Sequence, residues 1–171
     1  LCGSEIENHS LRLLSVSGEK LSPLRKPRYK LYNAGAPTEC TIYAFFYEIT
    51  EDYYERPIIG KALSNCQLYV VDKNLNFVPK GVAGELLIGG RGVGRGYLGR
   101  PDLTAEKFIN FKGDRVYRTG DLVKWNDDGL LEYIGRIDNQ VKIRGFRIEL
   151  SEIENKASQI SGVRQVCVDV K

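Results

Sequence analysis

Thr38 and Glu39 place a hydroxyl beside a carboxylate, just after the rigid Ala36-Pro37 turn and between two apolar runs. A threonine hydroxyl can donate to a phosphate oxygen, and a glutamate can hold Mg2+, a hard ion that takes carboxylate oxygen. Further along, Tyr117-Arg118-Thr119-Gly120-Asp121 follows a run of strand character and ends on an acid behind a glycine. A carboxylate so placed can accept both hydroxyls of a ribose, as acids do in nucleotide sites. Arg136 and Arg144 flank Asp138 and Lys142. Taken singly, these are also a surface turn, a capping acid and solvated strand charges. Their order along the chain is what points to nucleotide chemistry.

The Gly-rich segment Gly89 to Arg100 contains Gly94-Arg95-Gly96-Tyr97-Leu98-Gly99, which satisfies G-x-G-x-x-G. A dinucleotide fingerprint needs a helix opening inside the glycines, whereas Arg100-Pro101-Asp102 follows here. Arg91, Arg95 and Arg100 among glycines also suggest an RGG-type nucleic-acid segment, but such segments lie in long disordered tracts. The local reading is a tight loop where backbones approach closely.

The elements that must position these residues are short strands. Leu11 to Val16, Lys30 to Ala34 and Thr41 to Tyr47 read as strands. From residue 58 to 135, turn signals recur about every ten residues. Gln67 to Asp72, Gly84 to Ile88, Val123 to Trp125 and Leu130 to Ile134 are strands, with an Asp-Gly hairpin turn at Asp128-Gly129. Such regular strands predict a barrel or sandwich. A helix is expected over Thr104 to Ile109. Beyond Asp138 the pattern predicts a hairpin (Val141 to Ile148), a helix and a strand (Val163 to Val170). Ser151 and Glu154 form a capping box for the helix, Ile153, Ala157 and Ile160 form its apolar face, and Gly162 ends it.

Composition excludes several function classes. The 171 residues are 42% hydrophobic and 27% charged, so they describe a globular chain. There is neither a signal peptide nor an apolar run long enough for a membrane span. A net charge of +3, from 25 basic and 22 acidic residues, is too mild to imply nucleic acid. Cys2, Cys40, Cys66 and Cys167 are far apart, and with lone His9 they make no spaced zinc site. They read as reduced thiols in a cytoplasmic protein. Methionine is absent, which fits an internal piece of a longer protein.

The motifs in series resemble the amino-acid adenylation domains of nonribosomal peptide synthetases. They run from Asn33-Ala34 and Pro37-Thr38-Glu39, through Gly84-Glu85-Leu86 and Arg95-Gly96-Tyr97-Leu98, to Tyr117 to Leu122 and then Gly135 to Leu150. The last motif is long and highly specific, and the resemblance runs from about Leu11 to the C-terminus. It implies ATP-dependent activation of an amino acid to aminoacyl-AMP, then transfer to the phosphopantetheine of a peptidyl carrier protein. By resemblance Thr38 contacts phosphate, Glu39 holds Mg2+, Asp121 accepts the ribose hydroxyls, and Tyr133 lies beside the nucleoside. Arg136 contacts ribose or phosphate, and Ala34 and Gly35 fall beside the adenine. Ser15, Ser17, Ala34, Ile42 and Tyr43 match positions lining the amino-acid side-chain pocket. Asp138 matches the hinge, and the Val141 to Gly145 loop swings in for thiol attack.

The implied fold is strand-rich α+β in three parts. Residues 1–50 end a large α/β subdomain, residues 51–136 form a distorted β-barrel subdomain, and residues 137–171 begin a small C-terminal α+β domain. The sequence departs from the family in three ways. Gly35 stands where the family has a Tyr packing against adenine, and Leu24 to Lys30 is a shortened connection. The upstream phosphate loop, the Asp that greets the substrate ammonium, and a downstream Lys are not in these residues. The chain is therefore expected to work with remaining segments of the same domain and to be inactive alone. Alternatives are a fragment of an acyl-CoA synthetase or D-alanine–carrier ligase, a non-catalytic scaffold, or an RGG-like binder.

Overall fold

Alternation of side chains across one central strand organises the molecule. The computed structural model describes residues 10–18, 21–53, 58–138, 140–143, 146–160 and 162–169. Strand β6 (Gly84–Gly90) is buried from Gly84 to Gly89, with β5 (Cys66–Val71) on one side and β8 (Asp114–Trp125) on the other. Its Leu86 and Ile88 join Val70, Tyr117, Val123 and Leu131 in the main core. Leu87 points the other way, to Val71, Phe111 and Val116. A period of two thus feeds two apolar layers, and an apolar run with covered faces is the sequence sign of such a strand.

Among the described residues nine strands form one sheet, in the order β1 (Leu13–Val16), β2 (Lys30–Gly35), β3 (Phe45–Ile49), β4 (Ile58–Ala62), β9 (Leu131–Arg136), β8, β6, β5, with β7 (Phe108–Phe111) also paired to β8. Strands β1 and β2 are parallel, with Ser15 beside Tyr32. Strand β3 returns antiparallel, and β4 links it to β9. A two-stranded hairpin, β10 (Gln140–Ile143) and β11 (Phe146–Glu149), stands apart as its own sheet.

The expected strand-rich α+β class is what the structure has, but the barrel is not closed. Among the described residues β1 and β5 end the strand order, so the sheet is open. The long β8 is the reason. It takes β7 along Asp114–Tyr117 and then β9 along Asp121–Trp125, with register shifts against both β6 and β9. Those irregularities bend the sheet without joining its edges.

Several local expectations shift. The strand expected from Thr41 begins only at Phe45, because a 3-10 turn at Thr38–Cys40 and left-handed residues Thr41 and Ile42 (φ 58° and 62°) turn the chain between β2 and β3. The helix expected at Thr104 to Ile109 is α1 (Pro101–Lys107), opened by Pro101 at its first position. Phe108 and Ile109 leave it to pair with Tyr117 and Val116. Helix α2 (Leu150–Ser158) starts one residue before the predicted cap, with Glu149 as N-cap and no side-chain capping bond. Glu154 instead accepts the Val168 N–H at 3.0 Å. The helix stops at Ser158, short of Gly162, and Ile153 and Ile160 are exposed. Residues 163–169 form no strand. Arg144 and Gly145, part of the expected swinging loop, lie outside the described residues. No helix among those described is long and apolar enough to cross a membrane.

The glycine at position 35 has a packing reason. It pairs with Phe45, and a Cβ there would overlap two ring carbons of that residue. We expect Gly35→Ala to lower stability by about 1–3 kcal/mol, the usual cost of overpacking. A thermal melt checks this, and adding Phe45→Leu should recover part of the loss. A full-strength melt for Gly35→Ala alone contradicts the packing account.

Candidate active site

Strand register brings the first cluster together. Antiparallel pairing sets Asp121 of β8 across from Arg136 of β9. The chain then leaves β9 at Ile137, whose N–H donates to the Gly120 carbonyl at 2.8 Å. Asp138 follows beside Arg136. The guanidinium donates from Nε to Asp138 Oδ1 at 2.7 Å, from Nη2 to Asp138 Oδ2 at 2.6 Å, and from Nη1 to Asp121 Oδ1 at 2.8 Å. A planar fork is the side chain that can do this, because its donors are fixed in one plane.

Gly120 makes room for the fork. Its φ is +72°, and a Cβ would come within 2.8 Å of Asp138 Oδ2 and 2.9 Å of Arg136 Nη2. Buried Thr119 anchors the turn, donating to the Leu86 carbonyl at 2.8 Å and accepting the Asp121 N–H at 2.9 Å. One residue earlier, Arg118 forks onto buried Glu85 of β6, with Nη2 to Oε2 at 2.6 Å.

Burial disfavours charge on Arg136, but the hydrogen bonds to Asp138 and the charge of Asp121 outweigh it, so the guanidinium is held charged more firmly than usual. Burial alone likewise raises the Asp138 carboxyl, and Arg136 overcomes this to hold it below the ordinary range. Tyr133 of β9 is pushed up by burial and then by the negative charge of Asp121, which keeps its phenol protonated.

The second cluster is centred on Glu39, buried in the 3-10 turn that follows β2. The Tyr97 hydroxyl donates to its Oε1 at 2.6 Å, while Oε2 is buried and receives no hydrogen bond from the described residues. The Gly-rich segment closes on the same turn. The Gly94 N–H donates to the Glu39 carbonyl at 2.8 Å, and a Cβ on Gly92 would meet the Cys40 carbonyl at 2.7 Å. Thr41 Oγ1 donates to the Gly92 carbonyl at 2.8 Å. Close backbone approach, the local reading of these glycines, is therefore what the structure has. Thr38 is exposed beside Glu39. The Cys40 thiol is pushed up to about 12 by burial and then by Glu39, so it is no nucleophile.

The remaining expected residues lie around the carboxyl ends of the parallel pair β1 and β2, the edge where open α/β sheets bind ligands. Ser15 is half-buried and Ser17 exposed, Ala34 is buried, and Gly35 lies under Phe45. Ile42 is 67% exposed and Tyr43 38% exposed, so neither closes a pocket over the described residues. The structure brings Asp121, Tyr133, Arg136 and Asp138 together, and sets Thr38 and Glu39 in a second group held by Tyr97.

Tyr97 and the Arg118–Glu85 pair were not among the expected site residues, although both sit in quoted motifs. Their partners are 58 and 33 positions away, and local pattern carries no sign of that. Among the described residues no three His, Cys, Asp or Glu side chains converge as a metal centre. One buried carboxylate does suit Mg2+, which is commonly held by one or two carboxylates while substrate phosphates and waters complete its shell.

The family described as AMP-binding enzyme matches residues 4–98, more than half of the chain. The chain is 48% identical over 171 residues to tyrocidine synthase 3 of Brevibacillus parabrevis, covering 94% of this chain and 3% of that protein. It is 48% identical over 167 residues to surfactin synthase subunit 1 of Bacillus subtilis (strain 168), covering 96% of this chain and 5% of that one. It thus spans a small part of the curated relatives it matches. Among solved structures it resembles NpsA-ThdA, an artificially fused adenylation–PCP di-domain NRPS from Klebsiella oxytoca, with TM-score 0.74 and 31% identity over 90% of this chain and 31% of that one. On the family match and these relatives, the chain belongs to the AMP-binding enzyme family.

Proposed function

We propose that this chain is part of an amino-acid adenylation domain of a nonribosomal peptide synthetase. Its parent activates an amino acid with ATP to aminoacyl-AMP and pyrophosphate, then loads a carrier-protein phosphopantetheine. The observation that carries the reading is the convergence of Asp121, Arg136 and Asp138, in a chain 48% identical to a peptide synthase along 94% of its length. The adenylation–PCP neighbour supports the carrier partner. We assign residues 1–50 to the end of the large subdomain, 51–136 to the strand-rich subdomain, and 137–171 to the start of the small domain. The parent acts in the cytoplasm.

In this mechanism Asp121 accepts the ribose hydroxyls, and Arg136 both orients that carboxylate and presents permanent positive charge. Thr38 donates to a phosphate, and Glu39 is the residue that holds Mg2+. When bound, Mg2+ neutralises charge that builds on the pyrophosphate leaving group. The substrate carboxylate oxygen bonds to the α-phosphorus as the bond to pyrophosphate breaks. Such transfer depends on in-line positioning and electrostatics more than on covalent help. Ser15, Ser17, Ala34, Ile42 and Tyr43 lie towards the amino-acid pocket, Ala34 and Gly35 beside the base, and Tyr133 beside the nucleoside. Asp138 is the hinge between the two half-reactions.

Hydrogen bonds to a charged group contribute about 1.5–3 kcal/mol, so Asp121→Ala should raise the KM for ATP roughly 10- to 100-fold in amino-acid-dependent ATP–pyrophosphate exchange by the complete synthetase. An unchanged KM removes Asp121 from the nucleotide site. The chain by itself should give no exchange, and exchange by the isolated chain contradicts its dependence on the remaining segments of the same domain.

The hinge has its own signature. A depressed Asp138 pKa adds stability above the ordinary aspartate range and loses it as pH falls through the depressed value. In Arg136→Ala, burial is opposed only by the Gln140 N–H and the charge of Lys107, so the Asp138 pKa should rise from its depressed value. A carboxyl carbon NMR titration reads this directly. An Asp138 titration unmoved by the substitution refutes the fork as the cause.

A further inference from the structure

Glu39 is held at two points by one loop. The Gly94 N–H takes its backbone carbonyl, and Tyr97, three residues on, takes its side chain. Tyr97 is itself fixed. Its N–H donates to Thr104 Oγ1 at 2.9 Å, and Thr104 in turn donates to the Arg100 carbonyl at 2.7 Å. Its ring stands edge-on to Phe108, with centroids 5.4 Å apart and planes at 72°. Phe108 is a buried core residue paired in register with Tyr117. The hydroxyl is therefore positioned from the core outward, through β8, β7 and α1.

The 2.6 Å separation is that of a charge-assisted O–H···O⁻ bond. A phenol in this role orients a carboxylate without neutralising it, as a lysine or arginine in its place would. Metal-binding carboxylates are tuned by such partners, whose loss typically lowers metal affinity 10- to 100-fold.

We propose that Tyr97 is the positioning residue of the divalent-cation site, holding the Glu39 carboxylate in the orientation that receives Mg2+ with the nucleotide. This rests on the adenylation reading given above. Tyr97 touches neither substrate nor the reacting atoms, and it acts only through Glu39.

The test compares wild type, Tyr97→Phe and Glu39→Gln in the complete synthetase. Mn2+ binding to the ATP complex is followed by electron paramagnetic resonance, alongside the Mg2+ dependence of ATP–pyrophosphate exchange. Phenylalanine keeps the ring on Phe108 and removes one oxygen. Tyr97→Phe should weaken Mn2+ binding about tenfold or more and raise the Mg2+ midpoint of exchange equally. Saturating Mg2+ should restore most of the rate, which a general packing defect would not allow. Glu39→Gln should weaken Mn2+ at least as much, and the double variant no further than Glu39→Gln alone.

Mn2+ affinity within twofold of wild type in Tyr97→Phe, with Glu39→Gln impaired, overturns the positioning role and leaves the adenylation reading standing. An unimpaired Glu39→Gln overturns both Glu39 as ligand and the proposal with it. A wild-type synthetase that binds Mn2+·ATP but shows no amino-acid-dependent exchange overturns the adenylation reading, while the Mn2+ comparison still decides the role of Tyr97. Should Tyr97→Phe fail to fold, 3-fluorotyrosine at position 97 retains the hydroxyl. Its 19F resonance should shift when Mg2+ is added to the ATP complex, and an unmoved resonance counts against the proposal.

Discussion

Strand β8 serves three partners, and the placement of the charged groups follows from that. Its first residues pair with β7, its middle with β6, and its end with β9. Strand register is set by which side chains must be buried, and a slip of one residue would exchange them between faces. Here Val116 and Tyr117 belong to different cores, so their alternation pins the strand. Beyond the register shifts, Val123 and Leu131 in the main core hold the far end of β8 against β9, where Asp121 lies opposite Arg136. Apolar burial thus fixes a polar geometry that the charged residues alone would not determine.

The two clusters solve one electrostatic problem in different ways. Arg136 faces two carboxylates, so the trio keeps a net negative charge after its ion pairs are made. On the proposed reading, that suits a group that accepts ribose hydroxyls. Glu39 is oriented by a phenol, which leaves the carboxylate charge in place. Partly buried charges are tolerable when hydrogen-bonded, a condition that Arg136 meets with three hydrogen bonds and Glu39 meets at Oε1 through Tyr97. Cys40 shows the opposite outcome, since burial and the neighbouring carboxylate keep its thiol protonated and inert.

Residue pattern alone reached a good part of this. The cores of β5, β6 and β9 were legible because apolar alternation and Asp-Gly turns are local signals. Asp121, Arg136 and Asp138 were legible as candidates through the motif that resembles adenylation domains, though not as one hydrogen-bonded group. The start of β3 was not legible. Thr41 and Ile42 favour strand by type, yet the turn forces them into the left-handed region. Nor was the early end of α1, because Phe108 is drawn into the sheet by a partner nine residues ahead. Regular hairpins suggested closure, but whether a sheet closes depends on its edge strands, and β1 and β5 remain apart. Tyr97 and Phe45 owe their importance to what they touch across the fold.

The Arg136 fork also bears on how a hinge at Asp138 could turn. On the proposed reading, rotation separates Asp138 from Arg136 and breaks two short hydrogen bonds. Stranding one member of a buried ion pair usually costs about 3–5 kcal/mol, which would lock the domain. Two features reduce that cost here. The Asp138 side chain is a third exposed, so water can take over its hydrogen bonds. Arg136 keeps its third contact, from Nη1 to Asp121, and is not left alone when Asp138 departs. A cation shared between a fixed acid on β8 and a departing acid on the hinge can release one without losing the other. On that reading the same residue steadies Asp121 throughout the cycle and holds Asp138 during only part of it.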